Sequence, residues 1–520
     1  MSRQDHPASV RRRAPEPGLT ASERIAEHVC SVDASAVPPA VIHQVGRAFL
    51  DTYAGCVAAS GDPLAEVLDR YLAGRIPPVD QGIGARVVGG PRHQSLDQHP
   101  ATRWRRGSAT LWNGGAATDA ETAAFANGAM SHALDYDDVT SPMRGHPSVA
   151  MLPALTALAE TVDADGRRLS AAYQTGFEVI CAISRAVVIE HYRRGWHATA
   201  TIGLIGATAA ACQLLGLTRD QVISALGIAV AQAAGTRQNF GSMAKSLQVG
   251  ACGAAAVRSA RLAQAGLTSS PHALDGDDGG FVGLYCDPDQ AADLSSQLDG
   301  LGAGTPELLS SGIDVKKYPL CYATHRVIDT LLDLRDEHHL ELDHVERVRI
   351  RANRGAFTPL LQHRPRTGLE AKFSLEYAVA AALHDGFVRL SSFQDAAVTR
   401  PEIQEFFPRV HALDSDGAAF PRWVEVAVRL RDGRTLQRRT ETLRGSAASP
   451  LTDAQLIAKA ADCFSHGGVA GSPEDFAAAV FSWADQPIRQ VLAQQPAPIR
   501  KPGAAVRAAE EITATEVNGA

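Results

Sequence analysis

Between Ala198 and Thr218 the chain carries no charged residue, and after Arg219-Asp220 the run Val222–Gly235 is again uncharged. Thr, Gly and Gln213 interrupt the first run, so the pair predicts two buried helices rather than a membrane span. Buried helices need other apolar faces to cover them. The chain supplies them. Tyr173, Phe177, Ile180, Ile183 and Val187 recur at helical spacing within Leu169–Arg194, and Val45, Phe49 and Leu50 form a stripe within Val41–Ala58. Val249–Ala265 repeats small residues at close spacing, as in tightly packed helices.

A chain of 520 residues is expected to form two domains. Residues 1–18 and 496–520 read as disordered tails. A helix is expected from Leu19, capped by Thr20 or Ser22 with Glu23 just inside. Leu64–Leu72 is a further helix, 77–108 a long loop and Ala109–Leu111 a short extended piece. The character changes after Leu267. Residues 268–315 mix loops with short helices, and Lys316-Lys317-Tyr318-Pro319 begins a new segment. His325–Glu337 and Lys372–Leu383 read as helices, and Val348–Ala352 as a strand. Trp423–Leu430 alternates cleanly and turns at Asp432-Gly433 into Arg434–Thr440, a hairpin. Thr452–His466 and Pro473–Val491 are helical again. The expected fold class is mainly α. A large helical domain is built from residues 19–267 and 449–495, and a smaller α+β domain from 268–448.

The net charge of −7 holds no basic surplus for nucleic acid or an acidic membrane. An anionic substrate would need a local cationic pocket. The eight cysteines are scattered without a C-x-x-C pair, which argues against zinc and iron–sulfur sites and fits a reducing cytoplasm. Arg11-Arg12-Arg13 lacks a following apolar core, so no secretory signal is read.

Chemistry concentrates in Glu121–Glu160, where His132, Asp135, Asp137, Asp138, Arg144 and His146 lie close together. His132 and Asp135, three apart, would share a helix face. Pro142 and Gly145 break that helix, and His146-Pro147-Ser148 opens the next. Six groups from separate segments are candidates for one site: Asp135, His146, His197, Lys245, Lys316 and Tyr377. Both histidines sit where a polar loop meets an apolar helix. Lys245, in a loop read over Gln238–Ser246, is the only charged residue in Gln238–Cys252. Each also has a plainer reading. A histidine beside an apolar helix is commonly a structural hydrogen-bonding residue. Asp137 and Asp138 suit a solvated helix end or loop amides. Lys245 suits the surface, Lys316-Lys317 a solvated turn, and Tyr377, four residues after Phe373, a core position. The residues alone stop at a soluble enzyme.

The string NG-x-x-x-H-x-LD-x-DD at Asn127–Asp138, GHPS at 145–148 and the PAL-x-ALAE helix resemble the MmgE/PrpD family. That group contains 2-methylcitrate dehydratases, cis-aconitate decarboxylases and iminodisuccinate epimerases. NFGSMAKSLQVGACGAA at 239–255, KKYPLCYATHRVID at 316–329 and AKFSLEYAVAAALHDG at 371–386 continue the resemblance in order, over about residues 20–495. It implies a helical domain with a smaller α+β lid, a homodimer, a small di- or tricarboxylate substrate and no metal or organic cofactor. It carries the decarboxylase site onto the same six residues. His146 is then the expected principal acid/base with Asp135 its partner, Lys245 and Lys316 hold carboxylates, and His197 and Tyr377 are secondary proton groups. Gln248 stands where the family often has His, and the loop from Asp135 to His146 is one residue longer than in the animal decarboxylases. The favoured activity at this stage is a hydro-lyase on 2-methylcitrate or a related hydroxy-acid. The alternatives are decarboxylation of the cis-aconitate type, epimerisation of a substituted succinate, and a non-catalytic helical scaffold.

Overall fold

A computed structural model describes residues 18–73, 109–114, 117–276, 279–287, 291–419 and 421–498. The loop expected over 77–108, and all but the inner ends of the two expected tails, lie outside the described residues. Among the described residues, nine α-helices introduce the first part of the chain: α1 Ala21–Ser31, α2 Pro39–Ala58, α3 Pro63–Leu72, α4 Ala120–His132, α5 Pro147–Val162, α6 Gly166–Arg193, α7 Ala198–Leu215, α8 Arg219–Val230 and α9 Met243–Gln264. Their ends follow local chemistry. Thr20 and Glu23 form a reciprocal capping box at α1, and Thr218 and Gln221 do the same at α8. Gly216, at φ 63°, closes α7 in the left-handed conformation that glycine adopts at least cost.

Most of these helices bury into one core. α6 and α7 are both long and apolar enough to cross a membrane by composition, yet they pack on each other and are buried in the protein. Two close crossings set the spacing. At α6/α7, a Cβ added to Gly176 would come within 2.6 Å of the Gly206 carbonyl oxygen, and one added to Gly206 within 2.7 Å of the Gly176 carbonyl oxygen. At α4/α9, a Cβ added to Gly250 would come within 2.5 Å of the Phe125 carbonyl oxygen. Only a residue without a side chain lets the backbones approach so closely.

A second core forms around a four-stranded mixed sheet. Its strands are β1 Val345–Ala352, β2 Val410–Asp414, β3 Val424–Leu430 and β4 Thr435–Thr440, in the order β2-β1-β3-β4. β3 and β4 are the expected hairpin, with Gly433 at φ 94° in the turn. Val424, Val426, Val428 and Leu430 are buried as their alternation predicts, each contributing about 1.5–3 kcal/mol. β2 was not visible in the sequence. It runs parallel to β1 at the sheet edge and four of its five residues are exposed, so it carries no apolar alternation.

Several expectations change. Lys245 lies in the first turn of α9 rather than in a loop, because Met-Ala-Lys-Ser-Leu continues as good helix formers after Gly241-Ser242. The helix expected over Lys372–Leu383 is broken. Gly368–Ala371 ends before it, and Ser374 caps a new helix, Leu375–Asp385, leaving Lys372 and Phe373 in the joint. Pro473–Val491 likewise splits at Pro487 into Pro473–Phe481 and Ile488–Leu492. Ala109 makes only an isolated bridge to Thr118. Residues 268–315, placed by sequence with the α+β part, bury Leu274, Phe281, Leu294, Leu308 and Ile313 in the helical core. Phe464, Phe476, Val480 and Trp483, near the C-terminus, join the same core against Phe49 and Tyr53 of α2.

Gly206→Val and Gly250→Val should each lower stability by about 1–3 kcal/mol, because each added Cβ meets a backbone carbonyl oxygen and, at Gly206, the buried Ile180 side chain as well. Gly61→Ala, where an added Cβ meets nothing within 4 Å, should shift it by under about 0.5 kcal/mol. Denaturant midpoints measure the three. Equal midpoints would mean that glycine does not set the helix spacing.

Candidate active site

The chain leaves α4 after His132 and turns through residues 133–146 before Pro147 starts α5. This turn carries the centre of the site. Asp135 holds a left-handed backbone at φ 52°. Lys245 Nζ donates to Asp135 Oδ1 at 2.5 Å, and Lys316 Nζ lies 3.1 Å from the same oxygen while donating to the Asp135 carbonyl at 2.7 Å. Burial alone would raise the Asp135 pKa, but Lys245 and then Lys316 override it and hold the carboxyl far below its usual range. Asp135 is therefore an anion clamped between two ammonium groups.

Three imidazoles stand beside it. His132 and His146 have ring centroids 4.5 Å apart, and His132 and His197 5.9 Å apart. His132 does not share a face with Asp135 as expected, because α4 ends first. Its Nδ1 instead donates to Asp137, 3.0 and 2.9 Å from the two carboxylate oxygens. His146, at the start of α5, lies between both acids. Its Nδ1 is 2.9 Å from Asp137 Oδ2, without hydrogen-bond alignment, and its Nε2 is 3.6 Å from Asp135 Oδ1. Burial pushes the His132 pKa down to about 4 and lowers that of His146, although Asp137 opposes both. His197, at the start of α7, is pushed well down by burial and by Lys245. All three rings are therefore neutral near pH 7.

The tautomer of His197 follows from its neighbour. Gln248 Nε2 donates to the Thr236 carbonyl at 3.2 Å, which turns Oε1 toward His197 Nδ1 at 2.7 Å. Nδ1 must then carry the proton, and Nε2, buried without a partner among the described residues, is a bare acceptor.

Asp137 and Asp138 are not a solvated helix end, since both are fully buried. Asp137 is held well below its usual range, because the histidines outweigh its burial. Asp138 accepts from the Ser148 hydroxyl and, at 3.3 Å, the Ser148 N–H. Burial and the nearby Asp51 push its pKa well up.

A cavity opens onto this cluster at the seam of the two cores. Asp135, His146, His197 and Lys245 line it, as do Arg144, Arg326 and Arg422. Lys316 does not line it; it is fully buried and acts through Asp135. Nor is Tyr377 brought to the cavity. Its hydroxyl donates to the Ser392 carbonyl within the second core, the plainer of its two readings. The donor atoms of His132, Asp135, Asp137 and His146 lie within 4.8 Å of one another, close enough to share a cation. The two ammonium groups already on Asp135 would repel it, so the set suits an anion in the cavity better.

Sequence reasoning passed over Lys372, Arg326 and Arg422. Lys372 and Arg326 fall inside the strings at 371–386 and 316–329, and Arg422 left no signal. Lys372 Nζ donates to the carbonyls of Leu134 and Pro319 at 2.7 and 2.6 Å. Burial lowers its pKa from the ordinary 10.5 to about 7, against the pull of Asp135. Between those two values the unfolded chain binds a proton that the folded chain has released, so this group makes stability rise with pH across that window. Lys372→Met should remove that part of the slope, measured as the difference between wild-type and variant unfolding free energies at pH 7 and pH 10. An unchanged slope would show that Lys372 keeps its ordinary proton affinity.

The MmgE/PrpD N-terminal domain matches residues 93–293 and the MmgE/PrpD C-terminal domain matches 318–484. Cis-aconitate decarboxylase of Homo sapiens is 29% identical over 356 residues, covering 65% of this chain and 71% of its own length. The Mus musculus enzyme of that name is 30% identical over 356 residues, covering 64% and 70%. That of Aspergillus terreus is 25% identical over 362 residues, covering 65% and 73%. Asp135, His146, His197 and Lys245 fall within the first matched domain and Tyr377 within the second. With both domain types matched in order along it, the chain belongs to the MmgE/PrpD family.

Proposed function

We propose that the protein is a lyase of small di- or tricarboxylic acids, working through a carbanion- or enolate-like state. One observation carries this reading. An ammonium–carboxylate pair, Lys245–Asp135, stands beside neutral His146 and His197 in a cavity that also carries three guanidinium groups. The cations offset the carboxylates of a substrate that is fully ionised at neutral pH. Aimed at a developing carbanion in a partly closed site, they lower its energy more than they would in water. The neutral histidines supply bases, and Lys245 an acid.

Within that class we favour decarboxylation. The bond from carbon to a carboxylate breaks, its electron pair stays on carbon, carbon dioxide leaves, and a proton is delivered to carbon. Lys245 would supply the proton. The names of the human, mouse and Aspergillus relatives support this choice. Dehydration of 2-methylcitrate, the activity favoured by sequence, is the second reading. The bare Nε2 of His197 suits it, because elimination begins with a base removing a proton beside a carboxylate.

Incubation with cis-aconitate, 2-methylcitrate, citrate and iminodisuccinate, followed by product mass and absorbance, tests both. A product lighter by carbon dioxide supports decarboxylation; one lighter by water moves the enzyme to the second reading. No change in any of the four, with optical rotation also constant, would refute the lyase proposal. His146→Ala should cost about 10²–10⁴-fold in kcat with the fold intact.

The pH profile is a separate test. The depressed histidines keep their bases free below the ordinary 6.5. Because kcat/KM reports the free enzyme, its acid limb should fall below pH 6.5. A limb at or above 6.5 would remove His146 and His197 from the role of base.

A further inference from the structure

Asp137 is a fully buried carboxylate with no ammonium or guanidinium group paired to it among the described residues. Asp135, two residues earlier, has two: Lys245 Nζ and Lys316 Nζ lie 2.5 and 3.1 Å from its Oδ1. Asp137 faces two imidazoles instead. His132 Nδ1 spans the carboxylate, 3.0 and 2.9 Å from its two oxygens, and His146 Nδ1 lies 2.9 Å from Oδ2. The rings stand 77° apart with centroids at 4.5 Å. A buried carboxylate keeps its charge only where donors or cations answer it. Burial alone would raise the Asp137 pKa, and the two histidines override it. Asp51 and Asp138, the other acids close by, are each harder to ionise because Asp137 is charged.

The proton on each ring follows from this. A neutral imidazole has one N–H and one bare nitrogen, and the neighbour of one nitrogen decides the state of the other. His132 Nδ1 is hydrogen-bonded to Asp137, so its Nε2 is bare; that atom is buried without a partner among the described residues. His146 has a choice of two acids. Its Nε2 is 3.6 Å from Asp135 Oδ1, beyond hydrogen-bond range, and that oxygen already takes two ammonium groups. Its Nδ1 is closer to Asp137. An N–H there points off the line to Oδ2, but a bare Nδ1 would set a lone pair against a carboxylate oxygen at 2.9 Å, which is worse. The backbone does not swing to relieve it, because Thr199 Oγ1 holds the His146 N–H at 3.1 Å. Nδ1 therefore takes the proton, and Nε2 is left bare on a ring that lines the cavity.

The two rings belong to different elements. His132 is the last residue of α4 and His146 stands just before α5. We propose that Asp137 is a positioning residue: one carboxylate, shared by His132 and His146, fixes both rings in the Nδ1–H tautomer and so presents the bare Nε2 of His146 to the cavity as a base. Asp135, the partner expected from the sequence, is left to the two lysines. The catalytic consequence rests on the lyase reading; the tautomers do not.

Proton–nitrogen correlation spectra of the full chain carrying nitrogen-labelled histidine report each tautomer at neutral pH, with the two signals assigned from His132→Gln and His146→Gln. Wild type should show both rings protonated on Nδ1. Either ring protonated on Nε2, or on both nitrogens, overturns the proposal, whether or not any variant folds. Asp137→Asn keeps one acceptor oxygen and puts an amide donor in place of the other. His146 should then switch to Nε2–H, because Asp135 can accept from it there, and kcat should fall about 10²–10⁴-fold with KM little changed. A merely structural Asp137 would alter stability and leave the tautomer alone. A folded Asp137→Asn in which His146 keeps its proton on Nδ1, or switches without loss of kcat, overturns the proposal as well. Wild type that converts none of the four acids above would remove the lyase reading and leave the tautomers to be decided by the spectra.

Discussion

Three buried lysines hold three consecutive backbone carbonyls. Lys372 donates to Leu134, Lys316 to Asp135 and Lys459 to Tyr136. These carbonyls lie just beyond the last turn of α4, where a helix leaves acceptors unfilled and favours positive charge. The lysines come from the joint before the helix Leu375–Asp385, from the start of the segment leading to the second core, and from a C-terminal helix. The turn can therefore take its final shape only when all three parts of the chain are in place. A buried cation without compensation would be costly. Lys459 has Asp51 at 2.6 Å, Lys316 has Asp135 at 3.1 Å, and Lys372 has two carbonyls and a weakened hold on its proton.

Packing carries this constraint into chemistry. α9 crosses α4 closely enough that Gly250 cannot carry a side chain without meeting Phe125. The same crossing sets the first turn of α9 against the end of α4, and so Lys245 against Asp135. α5 and α7 each begin with a histidine, and their N-termini meet where the His146 N–H donates to Thr199 Oγ1 at 3.1 Å. The left-handed backbone of Asp135 persists because lysines hold its carbonyl and its carboxylate together.

Much of this was legible because it is written locally. Thr20 with Glu23, and the alternation from Val424 to Leu430, specify their elements within a few residues. His146 and His197 were visible as polar residues opening apolar helices. The parts that were not legible depend on tertiary position. Lys372 has no local partner, and its acceptors at 134 and 319 come from distant turns. Arg422 reaches the cavity only because the sheet is placed at the seam. β2 takes its identity from its neighbour rather than from its own pattern. Tyr377 shows the limit of a motif, since its place in the string does not say where the hydroxyl points; Ser392 decides that.

Gln248 stands where the family resemblance led one to expect a histidine. Its amide neither gains nor loses a proton across the physiological range, and its other end is fastened to Thr236. An imidazole at the same place could exchange roles with His197, each ring donating in turn, and the position of the bare nitrogen would then vary with pH. With an amide there, the proton on His197 has a single address. Whatever this ring does at the cavity, it does from one tautomer, and the protein spends no population on the other.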